Sequence, residues 1–212
     1  MSEKKIIVVG IGPGNEKYIT PAAVEKIHAA KFLVGGRRAL ETFAKPNQEI
    51  FPVTKEIDAA INFIREKISI APVVVMVSGD PGYYSMLETL KKNFDAALIE
   101  VIPSISSLQL AFARLALSWH DATLLSFHGR RPNDEDLKFT PQKILGLLTD
   151  AEFNSATISK ILISLGWAAT SQINICARLS YPDEKIISTT LGDAALAEPV
   201  KHCVLVVRSM DR

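Results

Sequence analysis

The chain has 212 residues, of which 48% are apolar and 22% are charged. This composition excludes a disordered or fibrous chain, and the length suits one large globular domain or two small ones. Lys and Arg (24 residues) nearly balance Asp and Glu (23 residues), and the resulting net charge of +1 argues against a general nucleic-acid-binding protein.

Strand-like apolar runs alternate with helical periods over the first half of the chain. Thr20 and Pro21 form a good helix start, since threonine can cap and proline at the first helical position loses no needed donor. The continuous run VVVMV after Pro72 is typical of a strand covered on both faces, and we predict it to be the central strand. The predicted strands lie at 6–9, 32–34, 48–51, within 73–80 and at 97–102, and the predicted helices at 21–31, 38–43, 57–68, 86–94 and 106–117.

This alternation predicts an α/β fold class for the N-terminal domain, residues 1–117. We expect an open, mostly parallel sheet with helices on both faces. The pattern changes after the segment SWHD, so a domain boundary is placed near 117–121 and a second α/β domain at 118–212. That domain is predicted to hold a mixed sheet with antiparallel pairs, built from strands at 123–127, 143–148, 173–177, 185–190 and 203–207, with a helix around 158–165 and a polar loop at 130–136.

Cysteine usage and hydropathy indicate a reducing, aqueous compartment. Cys176 and Cys203 stand singly in apolar runs, so we predict buried thiols rather than a disulfide or a zinc site. No segment reaches the roughly 18 apolar residues of a membrane span, and the short apolar run near the N-terminus lacks the length of a signal-peptide core. We therefore expect a cytoplasmic protein without membrane or nucleic-acid partners.

Three turns of small and polar residues follow three strands of the predicted first sheet. They are VVGIGPGN (8–15), SGDPGYYS (78–85) and IPSISSL (102–108). Ligands of open α/β sheets bind outside the carboxyl ends of the strands, so one ligand could contact all three turns. The first turn lacks the third glycine of a dinucleotide fingerprint and the GK[ST] of a phosphate loop. The structural alternatives are a tight turn at the glycines and helix caps at Asp80 and the serines.

Paired arginines follow two predicted strands, in GGRR (35–38) and in SFHGRR (126–131). Arginine forks bind carboxylates and phosphates, which suggests an anionic substrate, although solvated surface arginines are the alternative. Of the four histidines, only His128 is a candidate functional residue, and no histidine has the neighbours of a metal ligand. No catalytic nucleophile is recognisable, since no GxSxG occurs.

The ordered set VGIGPG, GDPGYYS, PSISSLQLAF, SFHGR and ARLSYPDEKI resembles the tetrapyrrole methylases over nearly the whole chain. This resemblance implies S-adenosylmethionine as methyl donor, bound in the cleft between two α/β domains. Within the family, the combination of SFHGR with the strand end at 148–150 and with RLSYPDE is most similar to the members that methylate C5 of a cobalt-precorrin in cobalamin biosynthesis. Homodimerisation is implied by the family alone, and the length leaves C15 methylation and decarboxylation to a separate protein.

The resemblance also implies a set of site residues. The cofactor site would comprise Ile11, Gly12, Asp80, Tyr83, Ser106, Ser107, Leu148 and Ala177. The many carboxylates of a corrinoid intermediate supply a reason for the basic set Arg37, Arg38, His128, Arg130 and Arg131. The chain departs from the family pattern at Ser104, where glycine is frequent, and at Ala177-Arg178-Leu179, where an acidic residue and asparagine are common.

Methyl transfer from a sulfonium needs no metal and little acid–base chemistry, so such an enzyme can act mainly by orienting its reactants and excluding water. Two alternatives remain at this point. One is a methylase of another tetrapyrrole position or of a protein side chain on the same scaffold. The other is a non-enzymatic nucleotide-binding regulator that uses the same three turns.

Overall fold

The computed structural model describes residues 4–209, which form two compact units, 4–106 and 107–209. Each unit contains a five-stranded sheet. The division falls before the predicted boundary at 117/118, because the helix at Ser107–Arg114 contacts strands of the second unit. Its apolar residues predicted an amphipathic helix, but they carried no information about which sheet the helix covers.

The first unit is built around a wholly parallel sheet. Its strands are β1 (Ile6–Gly10), β2 (Phe32–Gly35), β3 (Glu49–Pro52), β4 (Val73–Val77) and β5 (Ile99–Ile102). Its helices are α1 (Pro21–Ala29), α2 (Arg37–Phe43), α3 (Ile57–Lys67) and α4 (Leu87–Asn93), with short 3₁₀ turns at Glu16–Tyr18 and Ala96–Leu98. The strand order is β3-β2-β4-β1-β5, so β4 is the central strand as predicted.

Both faces of this first sheet are covered by apolar side chains. Alternate residues of β1 belong to two different clusters: Ile6 and Val8 pack with residues of α3, whereas Ile7 and Val9 pack with residues of α1 and α2. Every residue of β1 and β4 is buried. The predicted α/β class with helices on both faces is confirmed. Since all five strands are parallel, their carboxyl ends meet at one edge of the sheet.

The second unit holds the predicted mixed sheet. Its strands are β6 (Thr123–Ser126), β7 (Ile144–Leu148), β8 (Gln172–Ala177), β9 (Lys185–Thr190) and β10 (Val204–Arg208), in the order β6-β7-β10-β8-β9. Its helices are α5 (Ser107–Arg114), α6 (Asp134–Leu137), α7 (Ser155–Ser164) and α8 (Leu191–Leu196). β6 and β7 are parallel, and the other three neighbouring pairs are antiparallel.

Close packing explains why α5 belongs to the second unit. A side chain at Gly146 in β7 would place its Cβ 2.9 Å from the ring of Phe112 and 3.0 Å from Leu108, both on α5. Gly146 therefore lets the helix approach the strand closely.

Two short helices differ from the sequence expectations. α6 overlaps the end of the segment predicted to be a polar loop, and α8, whose N-terminus is capped by Thr190, was not predicted. Both are shorter than two full turns, so the periodicity of their apolar residues is too brief to indicate a helix.

The two cysteines are buried and form no disulfide, as the sequence indicated. Burial raises the pKa of the Cys176 thiol to about 12 and that of Cys203 to about 11. Both thiols are therefore protonated at neutral pH and are poor nucleophiles. Across residues 4–209, no helix combines the length and apolar character required to cross a bilayer.

Asn154 fixes the start of α7 and the loop before it. Its Oδ1 accepts hydrogen bonds from the backbone N–H groups of Ala156 and Thr157, and its Nδ2 donates to the carbonyls of Ala151 and Glu152. We expect Asn154→Ala to lower the free energy of unfolding by about 1–2 kcal/mol, because a helix cap is lost at a buried position. Urea denaturation followed by circular dichroism measures the loss.

Asn133→Ala is the matched control for this change. Asn133 also precedes a helix, but it is exposed and its side chain makes no capping bond. We expect a change of less than about 0.5 kcal/mol. Equal losses in the two variants would contradict the role assigned to Asn154.

Candidate functional site

The three predicted turns of the first unit meet at the carboxyl ends of β4, β1 and β5. Gly12 and Gly79 exchange two backbone hydrogen bonds, of 2.8 and 3.3 Å, which join the first turn to the second. The backbone N–H of Ser104 donates to Asp80 Oδ2 at 2.9 Å, which joins the second turn to the third. The sequence expectation that one ligand could contact all three turns is therefore compatible with their placement.

Glycine is required where these turns approach most closely. A Cβ on Gly10 would lie 2.6 Å from the carbonyl oxygen of Gly79, 2.7 Å from Ser104 Cβ and 2.9 Å from Pro81 Cδ. Gly12 has a φ of +73°, a left-handed conformation that side chains disfavour. The glycine-rich sequence thus allows the backbones of the three turns to contact one another closely.

Asp80 organises the second and third turns rather than capping a helix. Its Oδ1 accepts from the N–H of Gly82 at 2.8 Å, and its Oδ2 accepts from Ser104. The nearest following helix, α4, begins only at Leu87. The capping alternative is therefore wrong, and the first role of this carboxylate is to hold two turns together.

Tyr83 carries a polar atom without a partner. Its hydroxyl oxygen is buried and makes no hydrogen bond within residues 4–209. Burial raises the pKa of this phenol well above its usual value, so the group is a neutral donor at physiological pH. Its ring stands edge-on to that of Tyr84, with centroids 4.7 Å apart. A buried donor of this kind is costly unless a ligand or water accepts its hydrogen bond.

The remaining predicted cofactor residues of the first turn and the third turn lie beside these groups. Ile11 is buried directly after β1, and its N–H donates to the carbonyl of Val77 at 3.0 Å. Ser106 is half-buried; its Cα would lie 3.6 Å from a Cβ at Gly79. Ser107 is the first residue of α5.

In the second unit, the predicted residues gather at one edge of the mixed sheet. Leu148 ends β7 and Ala177 ends β8, and the residues Leu148 and Cys176 both pair with Val204, the first residue of β10. The N–H of Phe127 donates to the carbonyl of Leu148 at 2.8 Å, so the SFHGRR turn begins at the same edge. The structure thus brings Leu148, Ala177 and the SFHGRR turn, which contains His128, together within this unit.

The predicted basic residues are exposed. His128, Arg130 and Arg131 lie in the turn after β6, and Arg131 pairs with Asp134 at 2.7 Å. Arg37 and Arg38 form the first turn of α2 in the first unit, a position where the helix dipole favours anions rather than cations. Arginines placed there disfavour the helix slightly, because their charge opposes the helix dipole.

Sequence reasoning missed two acidic residues at the edge of the second unit. Asp150 accepts three backbone hydrogen bonds, one of them from Gly129 in the SFHGRR turn. These donors, that of Gly129 first, hold the pKa of Asp150 below its usual value, although partial burial opposes the shift. In the sequence, Asp150 lies two residues after β7, within the strand end at 148–150 that takes part in the resemblance, but its partner Gly129 was not indicated.

Glu184 is the second missed residue. It accepts from Arg114 Nε and from the N–H of Ser180, both at 2.6 Å, and the bond from Arg114 is the main cause of its lowered pKa. Arg178 and Ser180 have φ values of 54° and 74°, so Glu184 stabilises a strained connection directly after Ala177. Within residues 4–209, no three His, Cys, Asp or Glu side chains are grouped so that they could hold a metal ion.

Comparison with characterised proteins reveals extensive similarity. A "Probable cobalt-precorrin-7 C(5)-methyltransferase" of Methanocaldococcus jannaschii is 31% identical over 90% of this chain and 91% of that protein. The cobalt-precorrin-7 C(5)-methyltransferase of Salmonella typhimurium is 32% identical over 76% of this chain and 79% of that protein. The decarboxylating precorrin-6Y C(5,15)-methyltransferase of a Sinorhizobium species is 26% identical over 95% of this chain but only 49% of that protein.

Solved structures share the fold at lower identity. The methyltransferase CobJ aligns with a TM-score of 0.81 at 20% identity, over 97% of this chain and 94% of that one. The precorrin-6Y methylase of Archaeoglobus fulgidus aligns with a TM-score of 0.74 at 22% identity, over 99% and 100% of the two chains. A uroporphyrin-III C-methyltransferase of Thermus thermophilus, in complex with S-adenosylhomocysteine, aligns with a TM-score of 0.75 at 21% identity, over 96% and 91%.

The sequence model of the tetrapyrrole (corrin/porphyrin) methylases matches residues 5–195, which is most of the chain. Together with the relatives at 31–32% identity, this match settles the family and rules out the non-enzymatic alternative. The chain therefore belongs to the tetrapyrrole methylase family, and the expected enzyme class, a methyltransferase that uses S-adenosylmethionine, is confirmed with it.

Proposed function

We propose that this chain transfers a methyl group from S-adenosylmethionine to C5 of cobalt-precorrin-7. Two relatives above 30% identity carry this activity in their names, and this chain spans more than three quarters of each. The observation in the chain itself that supports the proposal most is the joining of the SFHGRR turn to the strand end at 148–150. These are the motifs by which the sequence resembles the C5-methylating members, and Asp150 bonds one to the other.

The turns of the first unit fit S-adenosylmethionine as a ligand. The backbone approach at Gly10 and Gly79 leaves polar main-chain groups and small side chains around the carboxyl ends of three strands, where α/β sheets bind nucleotides. The buried hydroxyl of Tyr83 is a donor that needs an acceptor. The hydroxyl and carboxylate oxygens of S-adenosylmethionine are acceptors of the required kind.

We assign a role to each of four residues in the first and second turns. When bound, S-adenosylmethionine supplies an electrophilic methyl group on a sulfonium sulfur. Ile11 and Gly12 offer the ligand an apolar and backbone surface, Tyr83 donates to it, and Asp80 keeps the turns in place for it. No acid or base is assigned to the transfer, because orientation and exclusion of water account for most of what such a reaction requires.

The cobalt-precorrin would contact the exposed basic residues. Its acetate and propionate groups are anionic at neutral pH, and arginine binds carboxylates through two parallel hydrogen bonds. In the second unit we assign this task to His128, Arg130 and Arg131, and in the first unit to Arg37 and Arg38.

Three further expectations belong to the same proposal. Homodimerisation and a separate protein for C15 methylation stay predictions that rest on the family resemblance, and a cytoplasmic location stays a prediction that rests on cysteine usage and hydropathy. The Sinorhizobium relative is named for both the C5 and the C15 reactions, and this chain matches about half of its length.

Incubation with cobalt-precorrin-7 and S-adenosylmethionine labelled with ¹³C at its methyl group tests the activity. We expect one new labelled methyl group on the macrocycle, assigned to C5 by NMR spectroscopy. Methylation of a different tetrapyrrole or a different carbon, with no reaction at C5 of cobalt-precorrin-7, would overturn the proposed substrate and leave the family unchanged.

Tyr83→Phe removes only the hydroxyl that has no partner. We expect the affinity for S-adenosylmethionine to fall about fivefold, the equivalent of one hydrogen bond of about 1 kcal/mol. The thermal midpoint without ligand should stay the same or rise, because a buried unsatisfied group is removed. Isothermal titration and differential scanning calorimetry measure the two effects.

The neighbouring exposed Tyr84 provides the control for this variant. Tyr84→Phe removes the same atom from a side chain that is 46% exposed, and it should leave cofactor affinity unchanged. Unaltered affinity in Tyr83→Phe would show that the phenol does not contact the cofactor.

Asp80 variants should change stability and cofactor affinity together. Asp80→Ala removes both acceptor bonds and Asp80→Asn removes one, so both properties should decrease in the order wild type, Asn, Ala. The total loss of stability in Asp80→Ala should be about 1–3 kcal/mol. Full cofactor affinity in a destabilised Asp80→Ala protein would restrict Asp80 to a structural role.

The double change Arg130→Ala/Arg131→Ala should separate the two ligands. We expect the affinity for a corrinoid polycarboxylate to fall about 5- to 30-fold, or about 1–2 kcal/mol, and less at high salt because these residues are exposed. Affinity for S-adenosylmethionine should stay within about twofold. Titrations of both ligands at two ionic strengths measure this.

The double change Lys91→Ala/Lys92→Ala also removes two positive charges, here from the exposed surface of α4. It serves as the control for the arginine variant. A similar loss of corrinoid affinity in the lysine variant would mean that the net charge of the protein, rather than the SFHGRR turn, attracts the substrate.

A further inference from the structure

Asp150 connects two loops at the edge of the second unit. Its Oδ2 accepts from the N–H of Gly129 at 2.9 Å, in the turn after β6. Its Oδ1 accepts from the N–H groups of Glu152 at 2.9 Å and Phe153 at 2.7 Å, in the loop after β7. The two carboxylate oxygens therefore serve different loops.

Oδ2 binds the middle of the SFHGRR turn. On either side of it, the N–H of His128 donates to Ser126 Oγ at 3.2 Å and Arg131 pairs with Asp134 at 2.7 Å, and both contacts stay within the segment from β6 to α6. Gly129 has a φ of +67° and is exposed, and a Cβ placed on it would have no atom within 4 Å. His128 and Arg130, on either side, are exposed as well. Packing does not fix the backbone at Gly129, and its hydrogen bond to Asp150 ties the middle of the turn to the loop after β7.

The loop that receives Oδ1 follows directly after Leu148, and the main chain of Asp150 takes part in it. The backbone N–H of Asp150 donates to the carbonyl of Phe153 at 3.2 Å, and its carbonyl accepts from the N–H of His202 at 3.4 Å. The main-chain bonds thus hold Asp150 in place independently of the SFHGRR turn, whereas that turn is linked to this loop at Gly129 through Asp150. The side chain orients the turn, and the turn does not orient the side chain.

We propose that Asp150 is a positioning residue of the methyl transfer, which presents the His128–Arg130 turn to the carboxylates of the tetrapyrrole. This inference rests on the proposed function, because it takes the tetrapyrrole as the ligand of that turn. Asp150 itself does not contact the substrate carboxylates, since like charges repel and its oxygens are occupied by backbone donors. Its effect is therefore on the binding of substrate, separate from that of the cofactor.

Asp150→Asn removes the hydrogen bond to Gly129 that connects the two loops and keeps the bonds to Glu152 and Phe153. The asparagine oxygen can still accept from Glu152 and Phe153, whereas its Nδ2 would face the N–H of Gly129, donor against donor. The reverse orientation of the amide would lose two bonds to keep one, so we expect the first orientation. The variant should fold with a nearly unchanged thermal midpoint.

Steady-state kinetics with cobalt-precorrin-7 tests the proposal. We expect KM for the tetrapyrrole to rise about tenfold in Asp150→Asn, while kcat and the affinity for S-adenosylhomocysteine stay within about twofold. Gly129→Ala should give the same rise in KM with Asp150 intact, because alanine is strained at a φ of +67° but meets no steric clash. Asp95→Asn, a change at an exposed aspartate that accepts from the N–H of Ala97, should leave all three values unchanged.

Several outcomes would overturn the proposal. An unchanged KM in folded Asp150→Asn is one, and an equal loss of S-adenosylhomocysteine affinity is another, because a general structural defect would produce it. If Asp150→Asn fails to fold, Gly129→Ala decides, and an unchanged KM there rejects the proposal. Wild-type protein that does not methylate cobalt-precorrin-7 would instead refute the proposed function, and titration with cobyrinic acid, a stable corrin polycarboxylate, would then test Asp150 alone.

Discussion

The absence of a side chain at Gly10 is the constraint on which the first unit's candidate site depends. A single methyl group there would meet the backbone of the second turn at 2.6 Å and the third turn at 2.7 Å. Because Gly10 ends β1 between β4 and β5, it sets the distance at which three strand ends meet. The Gly12–Gly79 hydrogen bonds and the bond from Ser104 to Asp80, which cross between turns, require this close approach. The three turns consequently meet through backbone groups and small side chains.

In the second unit, carboxylate hydrogen bonds hold the turns at the strand ends. Asp150 connects the turns after β6 and β7, and Glu184 joins the connection after β8 to Arg114 of α5, so carboxylates rather than close glycine contacts hold these turns. Charge-assisted hydrogen bonds to backbone donors are directional and moderately strong, so they can hold exposed turns that packing leaves unsupported. This difference agrees with the division of tasks that we propose: a close backbone cradle for the cofactor and extended basic turns for a large anionic macrocycle.

Much of the fold could be predicted from local patterns. The apolar run VVVMV identified the central strand, and Thr20 with Pro21 identified the start of α1, because both signals come from residues adjacent in sequence. The assignment of α5 to the second unit was not accessible in this way, since it depends on Gly146, which has no side chain where Phe112 packs. Asp150 was missed for a related reason. Its partner Gly129 lies 21 residues away, and a backbone N–H leaves no trace in the amino-acid sequence.

The position of β1 in the sheet has a consequence for how the protein is made. β1 precedes β4 and β5 in the chain and pairs only with them, so Ile6 cannot pair until Val73 and Ile99 have been synthesised. Pairing across such separations carries the entropy cost of closing a long loop and is slow compared with helix formation. The strand IIVVG is therefore exposed during most of the synthesis of the first unit, and an apolar segment without its neighbours is prone to aggregate. The glycine-rich turn that begins the candidate cofactor site is thus the first part of it to be synthesised and among the last to be formed.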